Sequence, residues 1–274
     1  MSIQRITDLL INSGIEEQEA KYEIKLLLKY LFNYSEIDKI KGSLLSKNEL
    51  ELLEEKIIDR IKNHIPVQYI IGKSWFMGED YIVTPDVLIP RDETEMLVKK
   101  AIEIINNNNF EDVLDIGTGS GCIACSIAKN TKATILGVDI STSALRVALD
   151  NVTQLGLNNR ALFIKSNLLE NIRAGESFDI IVSNPPYIPS GTILSEEVQK
   201  EPSIALYAEE NGLEFYRKII NSAPEYLNEN GYLIFELGIG EAELVKELMD
   251  NNFENISIEK DLANIERIIW GQKK

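Results

Sequence analysis

The sequence predicts a doubly wound α/β domain whose mainly parallel sheet ends in an antiparallel hairpin, preceded by a small helical domain and a β-hairpin connector. From about residue 92, helical and strand patterns alternate, which is typical of a parallel sheet with crossover helices. The last two strand patterns are separated by too few residues for a crossover helix, so they must pair antiparallel. The predicted parts are residues 1–66, 67–91 and 92–274.

The first 66 residues carry helical periodicity only. Apolar residues of the segment Glu17–Phe32 fall on one helical face, and a capping box at Ser46–Glu49 opens another helix that ends before Pro66. This helical domain carries no catalytic signature. It is either a packing or oligomerisation module or a domain that recognises a macromolecular substrate.

Strand and helix patterns organise the remainder of the chain. Short strands at Tyr69–Ile71, Trp75–Phe76 and Tyr81–Val83, punctuated by glycines, predict the β-hairpin connector. A helix over Glu93–Ile105 is expected to stop at the asparagines 106–109. Strands of the sheet, with helical segments between the first five, are predicted at Asp112–Ile116, Thr134–Asp139, Ala161–Lys165, Phe178–Ser183, Tyr232–Leu237, Ile256–Glu259 and Arg267–Trp270.

Composition narrows the class of protein. No apolar run approaches the ~20 residues that a membrane span needs, and the N-terminus does not resemble a signal peptide, which together predict a cytoplasmic protein. The net charge of −16 disfavours a nucleic-acid binder, because phosphate contacts need Lys and Arg side chains.

The two cysteines, Cys122 and Cys125, form a Cys-x-x-Cys pair that could indicate a redox or zinc site. The chain has one histidine, His64, so a zinc site lacks ligands. We expect both cysteines to be small buried residues of a helix, His64 to be structural, and no metal to be bound.

A glycine loop, Asp115-Ile-Gly-Thr-Gly-Ser-Gly121, follows the first predicted sheet strand and opens a helix. Glycines let the backbone turn tightly and approach a ligand closely. Asp139 ends the next strand, where a carboxylate can bind the hydroxyls of a ribose. The loop also fits an NAD site or a structural turn, but Asp115 would repel a pyrophosphate and would suit the ammonium of a methionine moiety. S-adenosylmethionine is therefore the predicted cofactor.

An Asn-Pro-Pro-Tyr element follows the fourth predicted strand, at the edge where open α/β sheets bind ligands. The carboxamide of Asn184 and the carbonyl of Pro185 can each accept one N–H of a planar nitrogen, while Pro186 stiffens the turn and Tyr187 offers a π-face. Two aligned acceptors would orient this nitrogen and stabilise the charge it develops during methyl transfer. The element could also be a plain turn, but its position after Asp139 favours a catalytic site.

On these motifs the whole chain resembles the PrmC/HemK family of release factor glutamine methyltransferases. The segments that carry the resemblance are Pro66–Gly72, Val87–Glu95, Asp115–Gly121, Asn184–Tyr187, Glu201–Leu206 and Asp261–Arg267. The resemblance implies a class I methyltransferase fold, Rossmann-like in its sheet. It also implies methyl transfer to the side-chain amide nitrogen of the glutamine in the Gly-Gly-Gln motif of class-one peptide chain release factors, with S-adenosylhomocysteine as product.

Site residues follow from the resemblance by position. The glutamine amide would be held by the catalytic residues Asn184, Pro185, Pro186 and Tyr187. The methyl donor would be bound by Asp115, Gly117, Thr118, Gly119, Ser120, Gly121, Asp139, Asn167, Leu168 and Asn184. The helical domain would dock the release factor, the chain would bind neither nucleic acid nor membrane directly, and we expect a monomer.

Arg91 and Glu95 lie where the connector meets the α/β domain. They form an ion pair between domains or line the substrate pocket. Asp92 replaces the proline that the family usually has after this arginine. Asn167 and Leu168 replace the acidic and aromatic residues that the family often places near adenine, so an adenine contact through hydrogen bonding and packing is expected here.

Two other functions compete with this interpretation. Adenine-N6 methyltransferases acting on DNA or RNA share the Asn-Pro-Pro-Tyr element, and a catalytically inactive binding module could keep the fold. The acidic net charge and the lack of a basic, aromatic target-recognition insert disfavour the first. The intact Asp139 and Asn-Pro-Pro-Tyr element disfavour the second.

Overall fold

The computed structural model describes residues 2–34 and 45–274 of the chain. The chain divides into two compact units. The smaller combines Met1–Lys73 with Leu194–Lys200, and the larger combines Ser74–Ile193 with Glu201–Lys274. Within the described ranges, no helix has both the length and the apolar character needed to cross a membrane.

The smaller unit is helical, as predicted. Its described helices are α1 (Ile3–Asn12), α2 (Glu17–Phe32), α3 (Lys47–Asn63) and α4 (Val67–Ile71). The capping box is confirmed, because the Ser46 hydroxyl accepts the Glu49 N–H while the Glu49 carboxylate accepts the Ser46 N–H. Apolar side chains from all four helices form one core, in which Leu10, Leu27 and Leu53 are fully buried.

The strand predicted at Tyr69–Ile71 is wrong, because these residues lie in α4. The N–H groups of Tyr69 and Ile70 donate to the Pro66 carbonyl, and Gly72 closes the turn at a φ of 71°. Three consecutive apolar residues fit a helix or a strand equally well. Proline before the run and glycine after it favour the helix.

An ion-pair cluster closes the smaller unit. Arg60 donates two hydrogen bonds to the Glu23 carboxylate, at 2.5 and 2.6 Å, and a third to Glu197 at 3.2 Å. The side chains of Arg60 and Glu23 are each 4% exposed. Since Glu197 belongs to Leu194–Lys200, the cluster fixes that distant segment to the helices. His64 pairs with Glu196 of the same segment.

The larger unit is built on a seven-stranded sheet. Its strands are β3 (Asp112–Ile116), β4 (Thr134–Asp139), β5 (Ala161–Lys165), β6 (Phe178–Ser183), β9 (Leu227–Glu236), β10 (Phe253–Lys260) and β11 (Glu266–Lys273). Two small sheets accompany it, formed by β1 (Lys73–Phe76) with β2 (Glu79–Ile82), and by β7 (Ile188–Pro189) with β8 (Tyr207–Ala208). Helices α5 to α9 are Thr94–Asn108, Cys122–Asn130, Thr142–Gln154, Glu214–Tyr226 and Ala242–Met249.

The strand order β10-β11-β9-β6-β3-β4-β5 confirms the predicted fold class. Strands β9, β6, β3, β4 and β5 pair in parallel, whereas β11 pairs antiparallel with both β9 and β10. The order reverses between β3 and β6, because β4 and β5 lie on one side of β3 and β6 lies on the other. Such a switch point is where open α/β sheets bind ligands.

The sheet buries both faces. Neighbouring residues of β3 point to opposite sides, so Val113 belongs to a core cluster with Leu97 of α5, while Leu114 belongs to another with Tyr216 of α8. A strand buried on both faces reads as a continuous apolar run, which is why β3 and β6 were predictable from sequence.

One predicted helix boundary is wrong, and one predicted helix is not formed. Helix α5 extends through the first three asparagines to Asn108, whose side chain caps the Ile104 carbonyl, and ends at Asn109 in a left-handed conformation. No helix separates β5 from β6 in the described residues 166–177. There, Asn171 bonds the Ser166 hydroxyl and the Lys165 carbonyl, and such local bonds compete with helix formation.

Candidate active site

The glycine loop turns tightly between β3 and α6. Gly117, Gly119 and Gly121 have φ values of 73°, 54° and 76°, a region that favours glycine. The N–H groups of Gly117 and Thr118 donate to the carbonyl of Val138 in the neighbouring strand, at 2.9 and 3.0 Å. These bonds fold the loop over the carboxyl end of β4, beside Asp139.

Asp139 is held by the backbone on both sides. Its Oδ2 accepts the Gly119 N–H at 2.9 Å, and its Oδ1 accepts the Ser141 N–H at 2.8 Å. Burial raises the pKa of this carboxyl, while the backbone donors oppose the shift. Each carboxylate oxygen can accept a further bond, so Asp139 keeps capacity for two ligand hydroxyls.

Asp115 is fully buried. Its Oδ2 accepts a hydrogen bond from the Thr118 hydroxyl at 2.6 Å, whereas its Oδ1 is buried without a hydrogen-bond partner among the described residues. Burial raises the pKa of Asp115 to about 7, with the Thr118 bond opposing the shift. A buried acceptor of this kind is costly in a structural role and suits a cationic ligand group.

A cavity of about 290 Å³ opens beside Asp139 and brings most of the predicted site residues together. Its lining includes Gly117, Gly119, Asp139, Asn167, Leu168, Asn184, Pro185 and Pro186. The remaining candidates lie outside this lining: Asp115, Thr118, Ser120, Gly121, Tyr187, Arg91 and Glu95.

Much of the rest of the cavity lining comes from segments that sequence reasoning did not place in the site. They are Asp86–Leu88 after the β1–β2 hairpin, Pro202 with Ile204 and Ala205, and the first turns of α8. The first two overlap Val87–Glu95 and Glu201–Leu206, two of the segments that carry the family resemblance. The sequence therefore marked these segments as characteristic, but it did not assign them a role in the site.

The Asn-Pro-Pro-Tyr element leaves the sheet at the end of β6. The Ser183 hydroxyl donates to the Ile116 carbonyl at 2.8 Å, which fixes the strand end to β3. The Asn184 side-chain Nδ2 donates to the Thr94 hydroxyl at 3.2 Å, and Thr94 donates to the Glu236 carboxylate at 2.6 Å. Sequence reasoning missed Thr94 and Glu236, because only the folded chain brings them to Asn184.

Tyr187 is half-buried against two glycines. A Cβ on Gly238 would lie 3.0 Å from the Tyr187 ring, and a Cβ on Gly212 would collide with the Tyr187 carbonyl oxygen. Burial raises the pKa of the Tyr187 hydroxyl, so the side chain is neutral at physiological pH.

Asn167 and Leu168 lie beside Asp139 at the end of β5. The Asn167 side chain donates to Glu170 at 2.7 Å, and Leu168 has a φ of 50°, a sparsely populated conformation for a branched side chain. Strained backbone of this kind clusters at ligand sites.

Arg91 and Glu95 do not pair with each other. Arg91 forms an ion pair with Glu201, which is buried and also accepts the Ile89 N–H at 3.0 Å. Glu95 pairs with Lys99 and accepts the Met77 N–H. Arg91 and Glu95 therefore do not form an ion pair with each other, and each instead bonds other segments of the larger unit.

The cysteines have the structural role expected of them. Both are free and buried in α6, and burial raises the pKa of Cys122 to about 12. Such a thiol is not a reactive nucleophile. The described residues contain no group of three or more His, Cys, Asp or Glu side chains suited to a metal.

Comparison with known proteins decides the family. A family model described as a methyltransferase domain matches residues 107–273. A release factor glutamine methyltransferase of Clostridium acetobutylicum is 38% identical, over 97% of this chain and 97% of its own length. One from Geobacter sulfurreducens is 40% identical, over 83% of this chain and 80% of its own length. The chain belongs to the family of release factor glutamine methyltransferases.

A solved structure supports the fold of this family member. A 16S rRNA methyltransferase of T. thermophilus, in complex with AdoMet and guanosine, matches with a TM-score of 0.55 at 18% identity, over 74% of this chain and 50% of its own. The residues present fit S-adenosylmethionine. Asp139 retains acceptor capacity toward ribose hydroxyls, the glycines admit a close ligand, and the unpartnered oxygen of Asp115 suits an ammonium.

Proposed function

We propose that the protein transfers a methyl group, in the cytoplasm, from S-adenosylmethionine to the side-chain amide nitrogen of the glutamine in the Gly-Gly-Gln motif of class-one peptide chain release factors. The observation that carries this proposal is the single cavity lined by both Asp139 and Asn184. A donor site and an acceptor for a planar nitrogen therefore share one space. The relatives with 38% and 40% identity support the choice of substrate.

The donor would occupy the half of the cavity at the ends of β4 and β5. Asp139 would accept the ribose hydroxyls, and Asn167 with Leu168 would contact the adenine. Asp115 would face the ammonium. When bound, S-adenosylmethionine supplies an electrophilic methyl on a sulfonium, and the sulfur keeps the electron pair of the broken bond.

The glutamine amide would enter against the Asn-Pro-Pro-Tyr element. An amide nitrogen is a poor nucleophile because its lone pair is delocalised. Asn184 Oδ1 and the Pro185 carbonyl would each accept one N–H, which orients the lone pair and stabilises positive charge on nitrogen as the new N–C bond forms. The nitrogen then loses one proton to solvent.

The proposal is tested by incubating the purified enzyme with labelled S-adenosylmethionine and an unmethylated release factor. Parallel reactions contain the same factor with its Gly-Gly-Gln glutamine replaced by glutamate, or duplex and single-stranded DNA and RNA. The modified residue is mapped by mass spectrometry. Label on the glutamine and none on the replaced factor is the expected result. Label on adenine would overturn the substrate assignment and identify a nucleic-acid methyltransferase.

The role of Asn184 has a matched control within the chain. Asn184→Ala should lower turnover by about 10²- to 10³-fold, the loss typical of one preorganised group at a developing charge. Asn107→Ala, on an exposed position of α5, should leave turnover unchanged. Full turnover by Asn184→Ala would contradict the assigned role.

A further inference from the structure

A hydrogen-bonded chain connects three elements behind the cavity. Glu236 is the last residue of β9, Thr94 is the first of α5, and Asn184 follows β6. The Thr94 hydroxyl donates to Glu236 Oε2 at 2.6 Å and accepts from Asn184 Nδ2 at 3.2 Å. Glu236 and Thr94 are each 3% exposed, so water does not compete for these bonds.

The number of protons available in this hydrogen-bonded chain fixes the orientation of the Asn184 carboxamide. An ionised carboxylate only accepts, so the single hydroxyl proton of Thr94 goes to Glu236. The Thr94 oxygen can then only accept, which requires Asn184 to turn its NH₂ toward Thr94. Since the carboxamide is planar, its oxygen is the end left for the cavity that Asn184 lines.

Protonation of Glu236 removes this constraint. A neutral carboxyl can donate to the Thr94 oxygen, and the hydroxyl proton of Thr94 can then turn toward Asn184. The carboxamide can flip, presenting its oxygen to Thr94 and its NH₂ to the cavity. A hydrogen-bond donor would then face the N–H of the substrate amide, and the hydrogen-bond acceptor on which methyl transfer depends would be lost.

We infer that Glu236 and Thr94 are positioning residues, which hold the oxygen of Asn184 toward the substrate nitrogen as long as Glu236 is ionised. The inference rests on the proposed function, because it gives Asn184 the role of acceptor. It adds to the site two residues, Thr94 and Glu236, that contact neither the substrate nor the methyl donor in the proposed function.

The surroundings of Glu236 place this ionisation within the physiological range. Burial raises the pKa of Glu236 to about 7, and the Thr94 hydroxyl opposes the shift. Glu93 also raises this pKa, whereas Arg267 and Arg91 lower it. Tyr187, Tyr216 and Cys122 also interact electrostatically with Glu236, and burial holds all three groups neutral. Turnover should therefore fall as the pH drops through about 7.

Two isosteric variants test the kinetic consequence. Thr94→Val removes the hydroxyl and Glu236→Gln removes the charge, and we expect each to lower kcat about 10- to 100-fold, the equivalent of one charge-assisted hydrogen bond. The KM for the release factor and the affinity for S-adenosylhomocysteine should change less than about twofold. Thr94→Ser keeps the hydroxyl and should restore turnover. At saturating S-adenosylmethionine, where protonation of Asp115 does not limit the rate, the acidic limb of the wild-type kcat profile should be absent in Glu236→Gln.

The orientation itself is measured without substrate turnover. In the complex with S-adenosylhomocysteine, the nuclear Overhauser effect between the Asn184 side-chain NH₂ and the Thr94 methyl should be present at pH 8 and weaken toward pH 6. Thermal melting shows whether each variant folds.

The outcomes separate this inference from the proposed function. Wild-type kcat in folded Thr94→Val and Glu236→Gln, with Asn184→Ala inactive, would overturn the positioning role alone. An NH₂ resonance that keeps its contact with Thr94 across this pH range would also overturn it. If the wild type does not methylate the release factor, the proposed function fails, and the resonance experiment still decides how the carboxamide is held.

Discussion

Replacing Asp139 with asparagine should weaken the binding of S-adenosylhomocysteine by about 10- to 100-fold. One carboxylate oxygen of Asp139 accepts the Gly119 N–H and the other accepts the Ser141 N–H. In the proposed complex, each oxygen also accepts a hydrogen bond from one ribose hydroxyl. Asparagine keeps one of these oxygens and turns the other into an NH₂ donor. One ribose bond to a charged acceptor is lost, worth about 1.5–3 kcal/mol, and each 1.4 kcal/mol is about tenfold in affinity.

The affinity is measured by isothermal titration calorimetry on the wild type, Asp139→Asn and the control Asp150→Asn. Asp150 lies exposed on α7, so its replacement removes the same charge without touching the cavity. Equal affinity of all three proteins, within twofold, would refute the ribose contact. Equal loss in both variants would instead show a long-range effect of charge. Thermal melting of Asp139→Asn confirms that the loop still folds.

Three further changes test other parts of the structure. Asp115 has a folded-state pKa raised to about 7, so the folded protein keeps a proton that the unfolded chain releases, and stability should fall as pH rises from about 4 to 7. Asp115→Asn should remove this dependence, which amounts to on the order of 3 kcal/mol between pH 5 and 8 in urea unfolding; an unchanged pH dependence would contradict the burial argument. Gly212→Ala should clash with the Tyr187 carbonyl and lower turnover by about tenfold or more, while calorimetry shows unchanged donor affinity; wild-type turnover would show that Tyr187 tolerates the shift. Arg60→Met should destabilise the helical unit by about 3–5 kcal/mol in chemical denaturation, because Glu23 is left buried without its partner. Adding Glu23→Met should recover most of that loss, and no recovery would mean that packing, rather than charge, sets the cost.

The sheet could be predicted from the sequence because its strands are buried on both faces. Apolar runs such as Phe178–Ser183 bounded by turn residues have one plausible structure within an alternating α/β pattern. The motifs also fell at strand ends, where the topology of a parallel sheet gathers them at one edge. The segment Tyr69–Ile71 was misassigned because its pattern is too short to show a period.

The contacts that complete the site could not be predicted in the same way. Thr94 and Asn184 are 90 positions apart in the chain, and Glu236 is 142 positions from Thr94. The sequence shows that each is polar, but only tertiary packing decides which of them meet. The same holds for Arg91, whose partner Glu201 lies 110 positions away.

Three buried carboxyl groups, of which Asp139 lines the cavity, lie toward the carboxyl ends of strands β3, β4 and β9, and their burial has a consequence for the reaction cycle. Burial raises the pKa of Asp115, Asp139 and Glu236, so keeping them ionised costs free energy that a nearby cation would offset. The sulfonium and ammonium of the methyl donor supply two positive charges at this edge. After transfer the sulfur is neutral, and one of those charges is gone. The same carboxyl groups then attract the product less than the donor, which favours exchange of product for donor after each turnover.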